Sequence, residues 1–177
     1  LSANPDFNLV PDAVAKIVYM AINTRREPLN DKKFRQALNY AVDKEAIAEA
    51  LYGGDAVIAT GPISPAQRGF DRSAPVAFPY DPDRARDLLS EAGYPDGFPL
   101  VISTSPRDER IVQAVAGQLQ DVGVKVKVRV VEYGSLIEEM GKKTLAAGML
   151  SWGHPDIVRM WSNSLSSKTK GVPWLNY

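Results

Sequence analysis

The sequence predicts an α/β domain, a mixed β-sheet flanked by helices, and three observations carry that expectation. Apolar residues switch between short runs of strand length and the three-four spacing of helix faces, in the order strand, helices, strand, helix, strand, helix, strand. The 177 residues are 45% hydrophobic and 24% charged, a composition that suits one soluble core of ordinary size. Glycine, proline and capping residues fall mostly between the periodic segments, where chain reversals belong.

Residues 14–22 form a nearly continuous apolar run with β-branched and aromatic members, which reads as a buried strand. After the loop NTRREPLN, Asp31 can cap a helix whose inner face carries Phe34, Ala37, Leu38 and Ala41. Asp43 starts a second helix, expected to turn Ile47, Ala50 and Leu51 inward and to stop at Gly53 and Gly54. From Asp55 to Tyr80 proline or glycine recurs every few residues without sustained periodicity, so this stretch reads as a long ordered loop packed on the domain surface.

Asp81 followed by Pro82 opens a third helix, with Ala85, Leu88, Leu89 and Ala92 on one face and Gly93 at its end. The turn YPDG leads into the strand FPLVIST. Ser105 then reads as the cap of a long helix, with Pro106 at its first position, Asp108 at the capping-box position, and Ile111, Val115, Leu119 and Val122 along its buried stripe. VKVKVRVVEY alternates strictly, Val124, Val126, Val128 and Val130 against Lys125, Lys127 and Arg129, and reads as a strand with one wet face. A short amphipathic helix through Leu136, Ile137 and Met140 follows, then an apolar strand from about Ala147 to Trp152, then a mixed segment with Met160 and Trp161.

Basic and acidic side chains balance at 21 each, so neither nucleic acid nor an anionic membrane is an expected partner. The chain has no cysteine, which removes disulfides, thiolate nucleophiles and cysteine-based metal sites. No run approaches the roughly 18 apolar residues of a membrane span. The chain starts at Leu1, and the expectation is that a leader has been removed or that these residues are cut from a longer protein.

Motifs of catalysis are missing. There is no G-x-S-x-G elbow, no G-x-G-x-x-G and no G-x-x-x-x-G-K-[ST], and His154 is the sole histidine. His154 and Asp156 offer two metal ligands without a third, so no metal or other cofactor is expected. Glu138 and Glu139 read as a solvated helix face. Trp152 ends an apolar strand and is followed by Gly153, His154 and Pro155, which puts it at the carboxyl edge of a sheet, where ligands bind in open α/β folds. It either plugs the core or faces a ligand. Asn23, at the end of the first strand, either lines a cleft or satisfies a turn.

Three stretches resemble the extracellular solute-binding proteins of family 5, the peptide and nickel receptors of ABC importers. INTRREPLNDKKFRQALNYAVDKEAI, Ile22 to Ile47, is similar to the family's Asn-Thr, R-Q-A-L helix and Asp-capped second helix. YDPDRARDLLSEAGYPDGF, Tyr80 to Phe98, is similar to its Y-D-P-x-x-A-x-x-L-L-x-E-A-G-Y-P-x-G-F segment. DVGVKV, VRVVEY and the later SWGHPD resemble its strand and tryptophan-containing strand end.

The resemblance implies one lobe of a two-lobed periplasmic-binding-protein-like (class II) fold, with residues 1–177 a single domain, the second lobe of a protein about three times as long. It implies a non-enzyme that captures a small solute (peptide, sugar, opine or metal chelate) in a cleft shared with the missing first lobe and delivers it to an ABC permease. The setting it implies is periplasmic or extracellular, with or without a lipid anchor. In peptide-binding members an arginine in the loop before the long helix holds the ligand carboxylate, and Arg107 lies in that loop; an aspartate after the strand-end tryptophan holds the amino group, but SWGHPD is shorter than the usual run, so Asp156 matches a later, structural position. The expected ligand contacts are Trp152, Gly153, His154, Arg107 and Asn23. Arg35, Gln36, Ala37 and Leu38 are expected to pack helices, and Asp43 and Asp81 to cap them. Two rival readings are a signalling or interaction lobe that handles no solute, and an enzyme domain with the Asp55–Tyr80 loop as a lid, in which Asp71 or Asp156 would be needed for turnover.

Overall fold

The computed structural model describes residues 16–61, 63–71 and 73–153, with the backbone alone at Trp152. The described strands are β1 (Ile17–Ile22), β2 (Pro99–Thr104), β3 (Lys125–Val130) and β4 (Ala147–Trp152), and they form one sheet in the order β1-β4-β2-β3. Its helices are α1 (Lys32–Tyr40), α2 (Lys44–Tyr52), α3 (Pro82–Glu91), α4 (Glu109–Asp121) and α5 (Tyr133–Gly141). β2 runs parallel to β3 and β4, whereas β1 is antiparallel to β4, so the sheet is mixed as expected.

Side-chain alternation along the strands separates two cores. Met20, Ile22, Leu100, Ile102, Val126, Ala147 and Met149 face one side, where α1, α3 and α4 cover them with Phe34, Leu38, Leu88, Val112 and Leu119. Tyr19, Ala21 and Leu150 face the other side, against Leu136 and Met140 of α5. Met140 lies flat on β4 because Gly148 has no side chain; a Cβ there would stand 3.1 Å from the Met140 sulfur.

The two segments that carry the strongest resemblance pack on each other. Phe34 of α1 meets Tyr94 and Phe98 edge to face, with ring centroids 5.6 and 6.0 Å away, and Tyr94 and Phe98 complete the triangle at 5.5 Å. The Asp81 amide donates to the Tyr40 carbonyl, which locks the start of α3 to the end of α1. Asp31, Asp43 and Asp81 cap their helices, and Ala37 and Leu38 are buried. Arg35 acts on the preceding loop, its guanidinium donating to the carbonyls of Leu29 and Asn30.

Four expectations need correction. α2 buries no residue fully: Ile47 and Leu51 are half-covered and Ala50 is exposed, because α2 lies outside α4 with no further layer over it. Ser105 caps nothing with its side chain, and Asp108 forms no capping box: a 3-10 turn, Pro106–Asp108, precedes α4, and the Asp108 carboxylate turns to β4 instead. The valine face of β3 dries only at one end, with Val126 buried and Val130 39% exposed where the strand runs past the helices. The expected stripe of α4 missed Val112 and Ala116, both buried, while Ile111 is only partly so.

The described part of the Asp55–Tyr80 loop holds no helix or strand and is pinned at several points. Phe78 meets Tyr40 edge to face, and Lys44 donates its ammonium to the Phe78 carbonyl. Desolvation holds that amine below the ordinary lysine value, an effect partly opposed by Asp43. Ser64 and Gln67 are buried and bonded to each other.

Candidate functional site

Chain direction decides where this sheet can take a ligand. β2 leads through the 3-10 turn into α4 on one face, whereas β3 leads into α5 on the opposite face. The two loops leaving these adjacent parallel strands therefore diverge, and a crevice opens between them at the carboxyl edge, the usual ligand position in open α/β sheets.

That crevice is an open depression of about 540 Å³ lined by Ser105, Pro106 and Arg107 on one lip and Val130, Val131, Glu132 and Tyr133 on the other. Its chemistry is uneven. Val130 and the Tyr133 ring are exposed apolar surface, and the Arg107 side chain is exposed and has no hydrogen-bond or ion-pair partner among the described residues. Glu132 caps α5, accepting from the Ser135 amide.

β4, also parallel to β2, brings its carboxyl end to the same edge, since Thr104 registers with Met149 and β4 continues to Trp152. Asp108, 4% exposed, accepts from the Ser151 amide at 3.0 Å and from its hydroxyl at 3.3 Å. This bond ties the turn that carries Arg107 to the residue before Trp152. Asp108→Ala would leave the buried Ser151 amide without its partner and is expected to destabilise the fold by about 2 kcal/mol in urea unfolding. Asp108→Asn keeps an acceptor oxygen and is expected to recover most of that loss; equal losses in the two variants would show that the charge and not the bond matters.

Of the ligand contacts expected from sequence, Arg107 lies in the crevice, and the backbone of Trp152 and the half-buried Gly153 stand at the same edge across the Asp108–Ser151 bond. His154 and Asp156 lie outside the described residues. Asn23 is placed elsewhere: β1 is antiparallel, so its last residues lie at the amino edge of the parallel strands. There Asn23 is buried, with its amide nitrogen donating to the carbonyls of Lys143 and Leu145 and its oxygen accepting from the Arg25 amide. These bonds correspond to the turn-satisfying role and separate Asn23 from Arg107, Trp152 and Gly153. Ser105 and the Val130–Tyr133 lip were not among the ligand contacts expected from sequence. Parallel pairing of β2 with β3 is the signal that would have found them, because it brings both strand ends to one edge.

Among the described residues no group of three or more His, Asp or Glu side chains could hold a metal ion. Glu138 and Lys142 form an exposed pair one helical turn apart, and Glu139 pairs with Arg129. Among the described residues, no helix is long and apolar enough to cross a membrane.

Comparison with known proteins gives concordant results. The family described as "Bacterial extracellular solute-binding proteins, family 5 Middle" matches residues 1–171. The chain is 33% identical over 167 residues to heme-binding protein A of Haemophilus influenzae, an alignment covering 88% of this chain and 30% of that protein. It is 32% identical over 178 residues to a glutathione-binding protein of Salmonella typhimurium, covering 98% of this chain and 33% of the relative. A dipeptide binding protein from Pseudoalteromonas, solved in complex with Met-Leu, superposes with a TM-score of 0.81 at 30% identity, over 92% of this chain and 34% of that one. The chain thus spans about a third of the length of each.

Proposed function

The chain belongs to the bacterial extracellular solute-binding proteins of family 5, and from that premise we propose that it is the second lobe of a two-lobed receptor that closes on a small solute and hands it to an ABC permease. The observation that carries this reading is the crevice at the carboxyl edge, with the Arg107 guanidinium, unpaired among the described residues, on its lip. Its volume of about 540 Å³ falls in the range of small-molecule sites, roughly 300 to 1,000 Å³. Being open, it offers one wall; the second wall comes from the two thirds of the relatives' length that this chain does not span.

A guanidinium favours carboxylates because its parallel N–H groups match the two oxygens. Heme, glutathione and Met-Leu, the compounds in the names of the relatives, share that group and little else. The solute is therefore a small molecule with a carboxylate, held by Arg107 with Trp152, Gly153 and His154 contributing from the end of β4. The protein works outside the cytoplasm and is not an enzyme, a reading supported by its membership of a binding family and by the missing catalytic motifs.

Native mass spectrometry of the protein expressed from its own gene tests this, followed by calorimetric titration with Met-Leu, glutathione and heme. A defined adduct, or saturable binding of one probe, is expected. Arg107→Ala is expected to weaken that binding roughly 10- to 100-fold, the range of a charge-assisted bond, without moving the melting temperature of the exposed site. A protein that emerges bare and binds none of the three would turn the reading toward an interaction lobe.

A further inference from the structure

Resting on the solute-binding reading above, we propose that Ser105 is a second ligand-contacting residue of the crevice, its hydroxyl donating to the same carboxylate, or a neighbouring carbonyl, that Arg107 engages. Ser105 is 2% exposed, and its Oγ has no hydrogen-bond partner among the described residues. A buried hydroxyl without a partner is uncommon, because the bonds it made to water are lost on folding with nothing in return.

Its backbone makes the orphan more telling. Ser105 sits before the 3-10 turn with φ −94° and ψ 162°, the extended geometry in which a serine normally accepts from an amide two or three residues on, yet it makes no such bond. Asp108, at the junction with α4, makes none either, its carboxylate being engaged by Ser151. The three-residue 3-10 turn that begins at Pro106 thus starts without a side-chain cap, and within it the Asp108 amide donates to the Ser105 carbonyl.

Ser105 lines the crevice together with Arg107. The guanidinium only donates and the hydroxyl can donate, so the group that both fit is an acceptor oxygen on the solute. The one acidic side chain among the lining residues, Glu132, stands on the opposite lip and is occupied by the Ser135 amide. A solute oxygen is therefore directed to the Ser105–Arg107 side.

The test compares the wild-type protein, expressed from its own gene, with Ser105→Ala and Arg107→Ala. Each is titrated with Met-Leu, glutathione and heme, and each is melted without ligand. Ser105→Ala is expected to weaken binding of the preferred probe by about 10-fold, the weight of one hydrogen bond to a charged group, while the ligand-free melting temperature stays level or rises. A hydroxyl that serves the fold would give the reverse, a lower melting temperature and wild-type affinity, and that result overturns the proposal. Wild-type affinity in Ser105→Ala beside weakened binding in Arg107→Ala sinks the Ser105 assignment and leaves the solute-binding reading standing. Absence of binding in the wild type overturns both.

Discussion

Gly97→Ala is expected to destabilise the protein by about 3 kcal/mol or more, combining a strained backbone with a steric overlap that has no soft neighbour to absorb it. Gly97 has φ +75° and lies in the turn after α3, where its amide donates to the Tyr94 carbonyl. A Cβ at this position would fall 1.7 Å from the carbonyl oxygen of Gly123 and 2.6 Å from its carbon. Gly123 itself, at φ +100°, ends the turn after α4. The turns that follow two different helices therefore touch backbone to backbone, and the next residues pair, the Lys125 amide donating to the Phe98 carbonyl. Relieving the overlap means pulling β2 from β3 at their amino ends. Thermal unfolding should show a midpoint lowered by roughly 6 to 12 °C for a domain of this size. An unchanged midpoint would mean that the two turns do not meet. Gly93→Ala is the control, since that glycine also has a positive φ of +88° but nothing within 4 Å of its added Cβ, so only the backbone strain remains.

Phe34→Ala is expected to cost about 4 kcal/mol, the usual size for a phenyl ring removed from a closed core. The ring is fully buried and stands edge to face against both Tyr94 and Phe98, so its loss also removes two aromatic pairs. The cavity would open between α1 and the turn after α3, next to Gly97. Because the two sites share Tyr94 and Phe98, the double variant with Gly97→Ala should lose less than the sum of the single losses, a coupling that a double-mutant cycle measures. Additive losses would show that the aromatic triangle does not link α1 to that turn. Phe34→Leu, which refills most of the volume, should lose less than Phe34→Ala.

These two expectations explain why the most recognisable stretches of the sequence contribute nothing to the crevice. The Phe34, Ala37 and Leu38 face, the three aspartate caps and the Tyr94–Phe98 turn form a joint between two helices and the sheet.

The sequence by itself determined the elements and their order: short apolar runs located β1, β2 and β4, periodicity located α1, α3, β3 and α5, and aspartate and glycine marked helix ends. Those signals are local, since caps and periods are read over a few residues. Strand order, by contrast, was decided by tertiary structure alone. That β4 inserts between β1 and β2, that β1 runs against the others, and that α5 lies on the face opposite α4 follow from which apolar faces find each other across the chain. This is why Asn23 and Arg107, similar candidates on paper, lie at opposite edges of the sheet, and why Asp108, which reads as a helix cap, instead joins β4. It is also why Ser105, an ordinary capping serine in sequence, is left beside the crevice with a buried hydroxyl that has no partner among the described residues.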